Sequence, residues 1–176
     1  MIYKPSEDSY LLLSILKNFV KDKKVLDIGS GSGILAEEAL KSGAKSVTAS
    51  DIESESISLL REKKITAINS DLFSNINDKF DLIIFNPPYL PEDKREDKAS
   101  ALSTTGGKNG DEIILKFLKE VKNHLAKKGS ILLLLSSLTP KSRINKILAR
   151  QKFKKEIIAS KKIFFETLEV WKIYRE

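Results

Sequence analysis

The chain has 176 residues, 41% of them hydrophobic, and a net charge of +7. That length predicts one domain, residues 1–176, with enough chain to bury most of its apolar surface in one core. Cys is absent and His124 is the only histidine, which excludes a disulfide framework, a thiol nucleophile and a thiolate zinc site within the chain.

In chain order, the first element is a helix from about Glu7 to Val20. Leu11, Leu12, Ile15, Leu16, Phe19 and Val20 form its broad apolar face, and Glu7 and Asp8 suit the positive end of its dipole. Lys24 to Gly29 reads as a short buried strand, Gly33 to Lys41 as a helix closed by Gly43, and Ser46 to Asp51 as a second strand. A helix over Ser54 to Lys63 and a strand over Ile65 to Asn69 follow. Phe80 to Asn86 is almost wholly apolar, as the centre of a two-sided parallel sheet requires.

Asp111 to Lys127 has the period of an amphipathic helix, with Gly129 as its stop, and Ile131 to Leu135 follows as a strand. His124 falls inside that helix near its end, where a histidine commonly complements the dipole. Thr139-Pro140 reads as a cap with proline at the first helical position, opening a helix to about Gln151. Lys154 to Lys161 and Thr167 to Tyr174 have no helix between them and should pair antiparallel. Together these elements predict an α/β, doubly wound, Rossmann-like fold: a mostly parallel seven-stranded sheet finished by a C-terminal antiparallel hairpin.

Charge and signals narrow the partners. Lys and Arg crowd the stretch from Pro140 to Lys162 against a single acid, Glu156. With few aromatics among them they read as a solvated surface, or as weak steering of an acidic or RNA-bound partner. No apolar run approaches the ~20 residues that span a bilayer, and Met-Ile-Tyr-Lys-Pro lacks the regions of a signal peptide. A cytoplasmic location without membrane association is expected.

The chemistry concentrates at the strand ends. Val25 to Gly33, V-L-D-I-G-S-G-S-G, is a strand, a glycine turn and a helix start, where backbone can approach a ligand closely. A dinucleotide fingerprint wants G-x-G-x-x-G, but here the third glycine comes one position early. Asp27 would repel a pyrophosphate and suits an ammonium group. Asp51, ending the second strand, stands where an acid grips ribose hydroxyls. Asp71, followed by Leu72, could accept from an adenine amino group beside an apolar wall. Ribose, adenine and an ammonium describe S-adenosylmethionine better than a nicotinamide dinucleotide.

Phe85 to Pro91 is F-N-P-P-Y-L-P. Asn86 offers a carbonyl oxygen and Pro87 a backbone carbonyl, and two prolines in succession give a patch that accepts hydrogen bonds while donating none. Such a patch fits a planar –NH2 group, with Tyr89 stacking on it. Holding both hydrogens aims the nitrogen lone pair at a sulfonium methyl. Transfer to an amide or amino nitrogen follows. A protein glutamine, an exocyclic amine of DNA or RNA, and a protein lysine all remain open as acceptors. Two further readings are a cofactor-binding subunit without catalysis and an oxidoreductase, and the missing third glycine argues against the latter.

Asn-Pro-Pro-Tyr after a G-x-G-x-G turn resembles the amino-group methyltransferases of the class I fold. Three more stretches resemble the archaeal/eukaryotic branch of the HemK-type release-factor glutamine methyltransferases. They are Tyr3-x-Pro5-x-Glu7-Asp8-Ser9-Tyr10-Leu11-Leu12, Gly106-Gly107-Lys108-Asn109-Gly110 with Glu112, and Glu166-Thr167-Leu168-Glu169-Val170. The resemblance implies that Asp27, Gly29 and Gly31 hold the methionine part of S-adenosylmethionine, with Ser9 and Tyr3 reaching it from the N-terminal segment. It also implies Asp51 on the ribose, Asp71 and Leu72 on the adenine, and Asn86, Pro87 and Tyr89 around the substrate amide, with Asn86 at the cofactor as well. Asp27 stands where many class I enzymes carry glutamate. The implied substrate is the glutamine of the Gly-Gly-Gln loop in a peptide-chain release factor. The implied partner is a small zinc-binding activator protein that adds a strand at the open edge, the third strand. The long aperiodic stretch from Tyr89 to Gly110 reads as a lid over the substrate peptide.

Overall fold

The computed structural model describes residues 5–92 and 104–175. Tyr3 and half of the expected lid, residues 93–103, lie outside the described residues.

Seven strands form one sheet: β1 (Lys24–Ile28), β2 (Ser46–Asp51), β3 (Thr66–Asn69), β4 (Phe80–Phe85), β5 (Leu125–Ser136), β6 (Lys154–Ile163) and β7 (Glu166–Tyr174). Their order is β3-β2-β1-β4-β5-β7-β6. β1 to β5 run parallel, while β7 pairs antiparallel with both β5 and β6. The expected doubly wound sheet with a C-terminal hairpin is present, and β3 is an outer strand.

Side-chain alternation along the central strands builds two cores. Leu26, Ile28, Ile83, Phe85, Ile131 and Leu133 face one side, and Val25, Leu82, Ile84, Leu132 and Leu134 face the other. Helices α1 (Glu7–Val20), α2 (Ile34–Lys41) and α3 (Ser54–Glu62) cover the second face. Helices α4 (Glu112–Glu120) and α5 (Lys141–Arg150) cover the first. Leu12 and Leu16 on α1 are wholly buried, each contributing about 1.5–3 kcal/mol by leaving water. That burial fixes the rotation of α1, and with it which residues its first turn aims at the sheet edge.

Two boundaries differ from the periodicity. The helix expected to run from Asp111 to Lys127 ends at Glu120, followed by a 3₁₀ turn over Val121–Asn123. Leu125 already belongs to β5 and pairs with Phe80, so β5 starts well before Ile131, and Gly129 lies within the strand instead of stopping a helix. Leu125 supplies an apolar group to the same core from a strand as it would from a helix, which is why the helical period overran. The ladder with β4 shifts register between Phe80 and Leu82 to absorb the extra residues.

The second difference is at α5. Pro140 occupies the cap position and the helix starts at Lys141, so proline does not sit inside the first turn. The Thr139 hydroxyl makes no capping bond and is buried without a partner. No helix among the described residues is long and apolar enough to cross a membrane.

Candidate active site

The sheet order reverses between β1 and β4, and at such a switch point the carboxyl ends of neighbouring strands open a crevice. Register sets which residues reach it. Ile28 pairs with Ser50 on one side and Phe85 on the other, so Gly29, Asp51 and Asn86 emerge side by side. Asp51 pairs with Asn69, which places Ser70 and Asp71 just beyond. A cavity of about 400 Å³ occupies this edge, within the range of ~300–1,000 Å³ usual for small-molecule sites.

The expected residues mostly converge there. Ser9, Gly29, Gly31, Asp51, Asp71, Leu72, Asn86 and Pro87 all line the cavity. The turn between β1 and α2 runs through left-handed backbone at Gly33 (φ 83°), where a Cβ would meet Leu60 Cδ2 at 2.6 Å. The third glycine, one position early against the dinucleotide pattern, is therefore demanded by this turn and by α3. Asp51 holds the turn in place: its Oδ2 accepts from the Gly31 N–H at 2.8 Å and its Oδ1 from the Glu53 N–H at 2.9 Å. Each oxygen keeps a second lone pair for a ligand.

Asp27 stands apart from that set. It is 1% exposed and does not line the cavity; Ile28 and Gly29 do. Its Oδ2 is buried without a hydrogen-bond partner. Burial pushes its carboxyl up to about 7, and the charge of Asp51 adds to the shift. Such a carboxylate lacks a cation, which the ammonium of an amino-acid ligand would supply. The orphaned oxygen lies behind the wall formed by Ile28 and Gly29, so the acceptors at this edge fit S-adenosylmethionine with its ammonium end against that wall.

Asp71 pairs with Lys116 of α4 at 2.7 Å, both side chains about half exposed. Leu72 takes left-handed backbone (φ 49°) and is 8% exposed, held by the Ser70 hydroxyl donating to its carbonyl at 2.9 Å. Ile52 and Ile113 complete an apolar surround that local pattern does not mark as part of the site. The available signals were the position of Ile52 directly after Asp51 and the i, i+3 spacing of Ile113 and Lys116 on α4.

At the other end of the cavity, the Asn86 carboxamide is oriented by α1. Its Nδ2 donates to Asp8 Oδ2 at 3.2 Å and to Ser9 Oγ at 3.4 Å, which leaves Oδ1 buried with no partner. Asp8, which the sequence marks as a dipole partner and as part of the N-terminal signature without a role at the site, is 7% exposed and lines the cavity. Tyr89 lies outside this cavity, lining an adjoining groove with Asp8 and Glu166. Burial, then the carboxylates of Asp8 and Glu166, hold its phenol above the usual tyrosine range, so it stays neutral.

The glycine loop supports the Asn-Pro-Pro-Tyr segment from behind. The Leu90 N–H donates to the Thr104 carbonyl, and the Gly106 N–H to the Leu90 carbonyl, both at 2.9 Å. A Cβ on Gly106 would stand 2.6 Å from the Pro88 carbonyl and 2.4 Å from that of Gly110. Only glycine allows the two backbones to touch. The two ends of the long stretch after Tyr89 are thus tied together where they are described.

Known proteins agree with this arrangement. Residues 4–166 match the family described as "Methyltransferase small domain". A Methanocaldococcus jannaschii protein named a putative protein N5-glutamine methyltransferase is 44% identical over 99% of this chain and 92% of its own length. The eRF1 methyltransferase catalytic subunit mtq2 of Schizosaccharomyces pombe is 29% identical over 99% of this chain and 89% of its own. Among solved structures, a chain of the E. cuniculi Mtq2-Trm112 complex, responsible for methylation of the eRF1 translation termination factor, superposes with a TM-score of 0.79. It is 27% identical and covers 99% of both chains. A seven-stranded class I fold, a fitting cofactor cleft and identity along nearly the whole chain lead to one conclusion: this chain belongs to the Methyltransferase small domain family and, within it, to the HemK-type glutamine methyltransferases, enzymes dependent on S-adenosylmethionine.

Proposed function

We propose that this chain methylates the side-chain amide nitrogen of the glutamine in a Gly-Gly-Gln loop of a peptide-chain release factor. The observation that carries the reading is the partnerless Asn86 Oδ1, a buried acceptor at the cavity beside two prolines that cannot donate. An amide –NH2 supplies the missing donor. The M. jannaschii, S. pombe and E. cuniculi relatives support glutamine as the acceptor and a termination factor as its carrier.

S-adenosylmethionine, when bound, supplies an electrophilic methyl carbon. Asp51 would take its ribose, Asp71 and Leu72 its adenine, Asp27 with Gly29 and Gly31 its amino-acid end, and Ser9 would approach from α1. Asn86 Oδ1 and the Pro87 carbonyl then accept the two amide hydrogens of the substrate, which leaves the nitrogen lone pair facing the cofactor. As nitrogen gains positive charge, the same two carbonyl dipoles stabilise it, already aligned and needing no reorganisation. Asp8, accepting from Asn86 Nδ2, increases the negative charge on Oδ1 and holds its direction. Nitrogen becomes acidic only after it is alkylated and then sheds a proton to water, so no base precedes the attack.

A small zinc-binding activator protein is proposed as the partner at β3. That strand is four residues long, half of them exposed, and an outer strand offers unpaired backbone groups for another chain to extend. The E. cuniculi complex supports a second subunit.

The test is transfer from labelled S-adenosylmethionine to four acceptors: a release factor, its Gly-Gly-Gln loop Gln→Ala form, duplex DNA and structured RNA. Each is run with and without the activator. Label on the intact factor alone is expected. Label on nucleic acid, or equal label on the Gln→Ala form, overturns the assignment.

A further inference from the structure

The turn of the β6–β7 hairpin is built from unsuitable residues. Ile163 pairs with Glu166, so Phe164 and Phe165 form the two-residue connection. Both are 97% exposed. Phe164 takes φ 26°, on the left-handed side, where two-residue hairpins ordinarily place Asn or Gly and a bulky residue is strained. Neither aromatic ring helps the fold. A surface that exposes two phenylalanines at a strained turn points to recognition.

The position of the tip says what is recognised. A second cavity, about 510 Å³, is lined by Asp8, Tyr89, Lys162, Ile163, Phe164 and Glu166. Asp8 also lines the cofactor cleft, so the two spaces share a wall. The hairpin is tied down beside it: Lys161 pairs with Glu7 on the first turn of α1, and the Ser136 hydroxyl donates to Glu166. The groove is thus a fixed channel leading from the exposed aromatic tip, past Tyr89, to the residue that orients Asn86.

We propose that Phe164 and Phe165 dock the polypeptide that carries the target glutamine, gripping an apolar side chain outside the Gly-Gly-Gln loop while the glutamine reaches Asn86. This rests on the glutamine reading above. The groove suits a peptide: an aromatic anchor, a tyrosine wall, and carboxylates and a lysine at hand for backbone N–H and C=O groups. The same carboxylates, Asp8 and Glu166, disfavour an anionic lipid surface. Aromatic anchors in such a place carry a disproportionate share of binding energy.

The test replaces the tip by the dipeptide that the turn prefers, Phe164→Asn with Phe165→Gly, which removes both rings while easing the backbone. The chain is assayed with its activator on the intact release factor and on a short free peptide spanning only the Gly-Gly-Gln loop. Expected are an unchanged or raised Tm, unchanged cofactor Kd, and a KM for the factor raised at least ~10-fold with kcat at saturation kept. Transfer to the short peptide should change little. Phe164→Leu with Phe165→Leu, which keeps apolar surface, should restore most of the KM. An unchanged KM for the factor overturns the docking role. So does a variant whose only loss is binding to phosphatidylserine vesicles or self-association by light scattering, since the tip would then serve a lipid or a second copy. If the wild-type chain transfers nothing to the factor, the glutamine reading itself has failed.

Discussion

Asp8 Oδ2 accepts from Asn86 Nδ2 at 3.2 Å, joining the first turn of α1 to the end of β4 across 78 positions of sequence. The contact decides which end of the carboxamide faces the cavity. Asp8→Ala frees the amide to rotate and should lower kcat by ~10-fold or more, while Asn86→Ala, which removes the acceptor outright, should cost at least ~10²-fold. Cofactor binding should survive both. Single-turnover rates with calorimetric cofactor titration check this; full turnover in Asn86→Ala removes the catalytic assignment.

Asp51 supports the turn after β1 and, in the proposed binding mode, the ligand. Asp51→Ala leaves the Gly31 and Glu53 N–H groups without their acceptor and takes away the proposed ribose partner. Cofactor Kd should rise by ~10–10²-fold, since hydrogen bonds to a charged group are worth about 1.5–3 kcal/mol each. Tm should drop as well. An unchanged Kd would mean that the carboxylate serves the turn alone.

Asp27 gives the site a pH signature. In the cofactor-free chain its carboxyl is pushed up to about 7 by burial, with Asp51 adding, from an ordinary value of 3.8. The native state therefore holds this proton more tightly than the unfolded chain. From this group alone, stability declines as pH rises through that interval, and the destabilisation is complete above about 7. An ammonium ligand requires the ionised form, so cofactor affinity should weaken as pH falls below about 7, by up to ~10-fold per unit. Asp27→Asn should flatten that profile and raise the cofactor-free Tm at about pH 8. A Kd that is level from about pH 5.5 to 8 in the wild-type chain counts against the ammonium contact.

Gly106→Ala tests the support behind the catalytic segment. The new methyl would meet two backbone carbonyls at 2.4 and 2.6 Å, and backbone cannot yield as a flexible side chain can. Displacement of Pro88 should reach Asn86 and Pro87, so kcat should fall by ~10-fold or more with cofactor Kd nearly kept. Equal loss in both would show that the loop supports the whole cleft.

His124 provides a control. Its ring stacks on Phe73 with centroids 4.4 Å apart and planes 9° from parallel, and it does not line the cofactor cavity. His124→Phe should leave kcat and cofactor Kd unchanged. A lowered kcat would contradict this.

Much of the fold was written in local pattern. The nearly unbroken apolar run of β4, the broad apolar face of α1 and the helix-free gap between β6 and β7 each follow from a short window of residues. The positions of Gly29, Asp51, Asp71 and Asn86 at strand ends followed in turn, because parallel strands deliver their carboxyl ends to one edge. Long-range register decided the rest. Leu125 satisfies the same core as a strand residue that it would as a helix residue, so only its pairing with Phe80 separates the two. Asp8 looked like a dipole partner until the sheet order brought α1 over β4. Tyr89 sits one residue after two prolines, yet its assignment to the hairpin groove instead of the cofactor cleft depends on where β6 and β7 lie. Periodicity reports which face of an element leaves water; which groups meet at that face is set by the order in which the strands pair.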